Sequence, residues 1–151
     1  MKGLLPLFAI ALPFLWAGLV LGLSFIETPL KFTAPGITLP LGLGIGRQVF
    51  KVLNWIEIGL VVVTLAAHGP IRMSVLKRAP LLLVAAIVAA QTLWLLPAMD
   101  ERTTVVIAGG DPGESYHHVL YVFMEVTKLL MLFAAGSIAW LATSKGSPTG
   151  N

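Results

Sequence analysis

The sequence predicts an all-α membrane protein, a bundle of four transmembrane helices. The first observation behind this prediction is composition: 57% of the 151 residues are hydrophobic and 11% are charged, with a mean hydropathy of +0.90. Soluble domains contain about 25% charged residues. The second observation is four apolar runs of about 20 residues, the length that crosses a bilayer as a helix. The third is the absence of cysteine, which excludes disulfides, thiolate metal sites and cysteine nucleophiles.

The four predicted spans cover residues 4–26, 44–67, 80–99 and 119–142. We interpret the first span as a retained helix and not as a signal peptide, because its apolar run is too long and only Lys2 precedes it. No small-x-small cleavage site follows it either. Residues 1–142 are thus predicted to form one transmembrane domain. The polar residues 143–151 are predicted to be a flexible cytoplasmic tail.

The charges of the predicted loops indicate the orientation. The loop over residues 68–79 contains Arg72, Lys77 and Arg78 and no acidic residue, whereas the loop over residues 100–117 contains four acidic residues and one arginine. Because basic loops stay in the cytoplasm, we predict a multi-pass protein of the inner (plasma) membrane with both termini cytoplasmic. The basic residues that count against this orientation are Lys31, Arg47 and Lys51.

Prolines and glycines indicate how the spans begin and pack. Three prolines fall within residues 27–43, so we predict an extended or turned loop there that folds over the outer mouth of the bundle. The glycine-rich run 42–47 lacks the Lys-Ser/Thr ending of a phosphate-binding loop. Close helix packing is the better explanation. Gly18 and Gly22 form a GxxxG pair, which serves either the internal bundle or a homodimer.

The predicted partners follow from charge and hydropathy. The formal net charge is +3, but the basic residues are scattered at the ends of the spans. That distribution suits anionic lipid headgroups better than nucleic acid. We therefore expect contact with the lipid bilayer and, through the GxxxG pair or an apolar flank, with a second copy or a larger membrane complex.

Three ionisable residues, Glu57, Glu125 and Lys128, lie inside the predicted spans. A charge near the centre of a membrane helix costs roughly 2.5–3.5 kcal/mol on insertion scales. Such residues therefore face the interior of a bundle, where they commonly mark a functional site. We expect Glu57 and Glu125 to lie near each other, with Lys128 as the counter-charge of one of them or of both.

Helical spacing gathers further polar residues around these charges. At 100° per residue, polar side chains fall within one arc on the second span and within a similar arc on the fourth. Together they predict a polar cavity that is open toward the outer face. The predicted cavity residues are Glu27, Arg47, Asn54, Glu57, Gln91, His118, Tyr121, Glu125 and Lys128.

Several occupants of this cavity are considered, and the cofactor stays open. Glu57, His118 and Glu125 are the candidate metal ligands, since carboxylates and imidazole suit Zn, Fe or Mn. The di-iron bundle signature, a Glu-x-x-His on each of two helices, is absent from the sequence. A haem held by two histidines does not fit, because His68 and His117 lie at opposite ends of their spans.

The function predicted from these residues is binding or translocation of a small ion or polar ligand. The alternative is a non-catalytic accessory subunit of a larger membrane complex. A second alternative is a redox component that binds a metal or a quinone. The charged cluster could also be a structural network that merely locks the bundle. An enzyme is less favoured, because no serine stands in a G-x-S-x-G context.

Four short motifs resemble the transmembrane-protein-205-like family. They are KFTAP at 31–35, GRQVF at 46–50, LPAMDERTT at 96–104 and YHH at 116–118. The similarity extends from about residue 24 to residue 136. It implies a four-helix integral membrane protein without an established biochemical activity. It implies nothing about the Glu125 and Lys128 pair.

Overall fold

The computed structural model describes residues 4–71 and 73–144, and over these residues the chain forms four long helices and no strand. Each helix is long and apolar enough to cross a membrane. All-α architecture and the number of spans therefore agree with the prediction from sequence. The helices are α1 (Leu4–Thr33), α2 (Leu39–His68), α3 (Val75–Ile107) and α4 (His117–Ser144).

Short connections make sequential helices run antiparallel, so that α1 begins and α4 ends at the same end of the bundle. We call this the terminal end and the opposite one the far end. α4 packs against α1 and α3, and α2 packs against the same two helices. Apolar side chains fill the space between them. Its central cluster consists of Trp16, Ala17, Val20, Val84, Val88 and Leu132.

The loop predicted over residues 27–43 is wrong for most of its length. α1 continues to Thr33, and only five residues separate it from Leu39 at the start of α2. The Thr38 side chain caps α2 by accepting a hydrogen bond from the Leu41 N–H at 3.4 Å. Pro40 lies in the first turn of α2, where its missing N–H breaks no helical hydrogen bond.

One proline in α1 and one in α3 are accommodated by widened turns. Leu21–Glu27 and Gln91–Leu95 are π-helical, and each segment ends two residues before a proline, Pro29 or Pro97. In an α-helix a proline ring clashes with the carbonyl four residues back. Where the hydrogen bonds instead reach five residues back, the turn gains a residue and the helix continues past the proline.

The remaining helix ends also extend beyond the predicted spans. α3 continues to Ile107, eight residues past its predicted end, so the acidic loop is shorter than expected. α4 ends at Ser144, and the first two residues of the predicted tail are therefore helical. The rest of that tail and Arg72 of the basic loop lie outside the described residues.

The glycines divide into two groups by their surroundings. A methyl group on Gly42 would overlap the Phe32 ring, and one on Gly46 would come within 2.8 Å of Lys31 Nζ. This run therefore packs closely against the end of α1, as the sequence predicted. Gly18 and Gly22 have open space around them. The internal-bundle role of that pair is wrong, and the homodimer remains a prediction.

Candidate functional site

Lys128 lies between two buried carboxylates. Its Nζ is 2.6 Å from Glu57 Oε1 on α2 and 2.6 Å from Glu125 Oε1 one turn earlier on α4. The side chains are 0% exposed for Lys128, 2% for Glu57 and 1% for Glu125. We call these three residues the charged triad. The predicted pairing is present, and it involves both acidic residues at once.

Three neutral side chains donate further hydrogen bonds to the two carboxylates. Trp16 Nε1 donates to Glu57 Oε1 at 3.0 Å. Ser24 Oγ donates to Glu125 Oε2 at 2.8 Å, and Gln91 Nε2 donates to Glu125 Oε1 at 2.8 Å. α1, α2, α3 and α4 thus each supply at least one group to this network. Such cross-linking fixes how the helices pack, since partly satisfied polar groups in a dry core are costly.

The two π-helical turns hold the donors to Glu125. Ser24 lies within Leu21–Glu27, and Gln91 begins Gln91–Leu95. In a uniform α-helix Ser24 would lie about 80° around the helix from Trp16. A turn with more residues reduces that angle, which brings both side chains to the same face. π-helical turns of this kind occur frequently at functional sites.

The charged triad carries a formal charge of −1, because two carboxylates share one ammonium. Removal of each ion from water costs several kcal/mol, which short ion pairs offset only in part. Among the described residues, the other buried polar side chains are neutral amides, a hydroxyl and an imidazole: Asn54, Thr64, His68 and Gln91. One more proton or a small cation would neutralise the site.

Two further predicted residues lie on the far-end side of the triad. Asn54 Nδ2 donates to Thr92 Oγ1 at 2.9 Å, and the Thr92 hydroxyl lies 2.7 Å from the Val88 carbonyl. Tyr121 is buried one turn before Glu125, with its ring centroid 5.1 Å from that of Phe50. Both lie in the part of the interior that the sequence predicted.

Three predicted cavity residues do not contact the triad: Glu27, Arg47 and His118. The structure contradicts their prediction as cavity residues. Glu27 pairs with Lys31 at 3.3 Å, one turn later on α1. Arg47 reaches sideways to α3, where its Nε is 2.5 Å from Asp100 Oδ1. His118 lies in the first turn of α4 and is exposed.

The candidate metal ligands do not assemble. Within residues 4–71 and 73–144, no group of three or more histidine, aspartate or glutamate side chains is placed to hold a metal ion. Glu57 and Glu125 face the Lys128 ammonium, which repels a metal cation. The predicted set of Glu57, His118 and Glu125 is therefore not a metal site in this arrangement.

Open pockets lie away from the triad. One of about 310 Å³ lies beside Trp94 and His117, and another of about 550 Å³ lies beside Pro40 and Ile107. Both are at the far end, and the triad lines neither of them. Where the sequence predicted an open cavity, the structure has a packed polar core, and the two pockets lie nearer the far end.

Sequence reasoning missed three partners, Trp16, Ser24 and Thr92. A signal for two of them was present: Trp16 and Ser24 carry the only side-chain hydrogen-bond donors in residues 4–26. A lone hydroxyl in an apolar span is a candidate for an interhelical hydrogen bond. Thr92 follows Gln91 directly, and spacing alone did not assign it to Asn54.

Comparisons with protein-family models, with curated proteins and with solved structures find no match for this chain. Its function is therefore inferred from the geometry of the charged triad. Two properties of the triad matter most: its complete burial and its net negative charge.

Proposed function

We propose that this chain is an integral membrane protein of the inner membrane that moves protons through the charged triad. Four helices of membrane length support the insertion. The basic connection at the terminal end supports cytoplasmic termini. Membership of the transmembrane-protein-205-like family is likewise a proposal, based on the short motifs.

The observation that carries the proton function is that Glu57 and Glu125 share one ammonium in a fully buried site. A buried net charge of −1 favours uptake of a positive species. A proton needs no cavity, whereas a hydrated ion or a polar ligand needs space that the packed triad does not offer. Ionisable residues in the interior of membrane bundles commonly act as proton relays.

The geometry gives the triad two equivalent pairings for Lys128. A proton on Glu125 would weaken its attraction to the ammonium and leave Lys128 paired with Glu57, and a proton on Glu57 would do the reverse. Ser24 and Gln91 hold the Glu125 carboxylate in place, while Trp16 holds Glu57. Because Ser24 lies nearer the far end than Trp16 does, Glu125 serves the far end and Glu57 the terminal end.

Proton flux into vesicles tests this function. Purified protein is reconstituted into liposomes that contain a pH-sensitive dye, and valinomycin with a potassium gradient supplies the driving force. We expect faster proton entry than in protein-free vesicles and a return to that background in Glu125→Gln. Glu101→Gln is the matched control, since Glu101 is exposed on α3.

Two results separate this function from the alternatives. Flux in Glu101→Gln together with its loss in Glu125→Gln supports proton movement through the triad. Wild-type vesicles that are no more permeable than protein-free vesicles overturn it. The triad would then be a structural lock, as expected for an accessory subunit.

A further inference from the structure

A second polar site lies in the half of the bundle nearest the terminal end. Thr64 is 0% exposed and His68 is 3% exposed, and they lie one turn apart on the same face of α2. Thr64 Oγ1 and His68 Nε2 are both buried without a hydrogen-bond partner. The triad does not use either residue, so these atoms need an explanation of their own.

The Thr64 hydroxyl differs from those of other helical threonines in this chain. Thr92, Thr127 and Thr143 each donate to the backbone carbonyl four residues earlier, at 2.7–3.0 Å. That bond is the usual way for a threonine to satisfy its hydroxyl within an apolar helix. Thr64 Oγ1 makes no such bond, and its hydroxyl is therefore available to a group in the bundle interior.

The ring chemistry of His68 leaves an acceptor in the same region. Nδ1 lies 2.8 Å from the Thr64 carbonyl oxygen, so Nδ1 carries the hydrogen and donates. In a neutral imidazole the other nitrogen is then an acceptor. Nε2 is buried and meets no hydrogen-bond partner within bonding geometry, and the Ala135 backbone of α4 lies near the ring. A buried polar atom left in this state costs about 1–3 kcal/mol.

The surroundings of this level are apolar. Ala9, Ala67 and Ala139 form a buried cluster, with Ile10, Leu12 and Ile71 packed against it. Thr64 Oγ1 and Nε2 together offer the two polar partners that a buried water needs. The charged side chain that acts on His68 is Arg78, whose Nη2 donates to the Gly69 and Ile71 carbonyls. Ala9 of α1 and Ala139 of α4, which lie at this level, are apolar.

This site is aligned with the triad. Glu57, Thr64 and His68 are seven and four residues apart and therefore share one face of α2. Thr64 lies about 10 Å along the helix from Glu57, with Leu132 of α4, 0% exposed, at an intermediate depth. His68 is the last residue of α2, and exposed Gly69 follows it. The polar face thus runs from the triad to the terminal end, with one apolar layer in between.

We propose that Thr64 and His68 bind water and form the proton path between the terminal end and Glu57. The proposal rests on the proton function of the triad. A hydronium ion at the terminal end gives its proton to the Nε2 lone pair, which yields an imidazolium and a water molecule. The imidazolium returns that proton from Nε2 to the water at Thr64 Oγ1, which restores the neutral ring and forms a hydronium ion. That ion passes its proton to the Glu57 carboxylate and becomes water again. The Leu132 layer limits passage, since apolar constrictions gate by excluding water.

Hydration of His68 is tested directly in the folded protein. A His117→Gln/His118→Gln protein retains His68 as its sole histidine, and the ¹⁵N-histidine-labelled form is placed in bilayers for solid-state NMR. We expect magnetisation to pass from water to Nε2 within milliseconds and to fall in Thr64→Val. Thr127→Val is the matched control, because Thr127 bonds within its own helix. An Nε2 signal that receives nothing from water overturns the proposal.

Proton flux separates the path from the hydrated site. In the vesicle assay, His68→Gln should lower the flux at least tenfold, while His118→Gln at the exposed far end should leave it unchanged. A wet His68 with unchanged flux in His68→Gln overturns the path. If wild-type protein shows no flux, the triad function and the path both fail, whereas water contact at Nε2 still shows whether the site itself is hydrated.

Discussion

Replacement of Lys128 by methionine is predicted to destabilise the bundle strongly. Methionine fills a similar volume but leaves Glu57 and Glu125 facing each other without a cation. Glu57 Oε1 and Glu125 Oε1 each lie 2.6 Å from Lys128 Nζ, so the two oxygens are within about 5 Å of each other. At that separation two unit charges repel by about 3 kcal/mol at an effective dielectric constant near 20.

Measured cases of one partner removed from a buried ion pair cost about 3–5 kcal/mol. We therefore expect the free energy of unfolding of Lys128→Met to fall by about 3–5 kcal/mol. Reversible unfolding by SDS in mixed micelles measures this change, and tryptophan fluorescence follows it, because Trp16 bonds to Glu57 directly. Lys51→Met is the matched control, since Lys51 is exposed on α2 and its loss should change stability by less than about 0.5 kcal/mol.

A compensating variant identifies the physical cause. Replacement of Glu57, Glu125 and Lys128 together by Gln, Gln and Met removes the charges as well as the counter-charge, and most of the lost stability should return. A Lys128→Met protein that unfolds at the same SDS fraction as the parent would falsify the pairing. If the triple variant is as unstable as Lys128→Met, then packing and not charge is responsible for the lost free energy of unfolding.

Two further predictions concern topology and packing. A reporter that works only in the cytoplasm should be active when it is fused after Asn151, and a reporter that works only outside should be active when it is inserted after Gly109. The opposite pattern would contradict the orientation taken from the loop charges. Gly42→Ala should cost about 1–3 kcal/mol, because its methyl group overlaps the Phe32 ring. Gly59→Ala has open space and should be neutral or stabilising by up to about 1 kcal/mol, so equal effects in the SDS assay would refute the close packing.

The sequence predicted the number of helices and the residues of the triad because both depend on the cost of polarity in an apolar medium. Spans of about 20 apolar residues are visible without a structure. A lysine three residues after a glutamate is necessarily on the same helix face. That Lys128 also reaches Glu57 depends on how α2 packs beside α4, and spacing along one helix does not contain that information.

The wrong assignments of Glu27 and Arg47 share one cause, which is the position of the helix ends. With a loop expected after residue 26, Glu27 was free to cap the interior. Because α1 continues to Thr33, Glu27 and Lys31 lie one helical turn apart and pair with each other. Likewise α3 continues past residue 99 and carries Asp100 alongside α2, where it binds Arg47.

Prolines link these errors to the two neutral donors that hold Glu125. Pro29 was expected in the loop after the first span and Pro97 near the end of the third span, but each follows a π-helical turn inside a continuous helix. The turn that relieves the proline also changes which side chains face the interior. Ser24 and Gln91 lie in those turns, and both donate to Glu125. α1 and α3 thus continue past these two prolines, and the π-helical turns before the prolines carry the donors that hold one carboxylate of the triad.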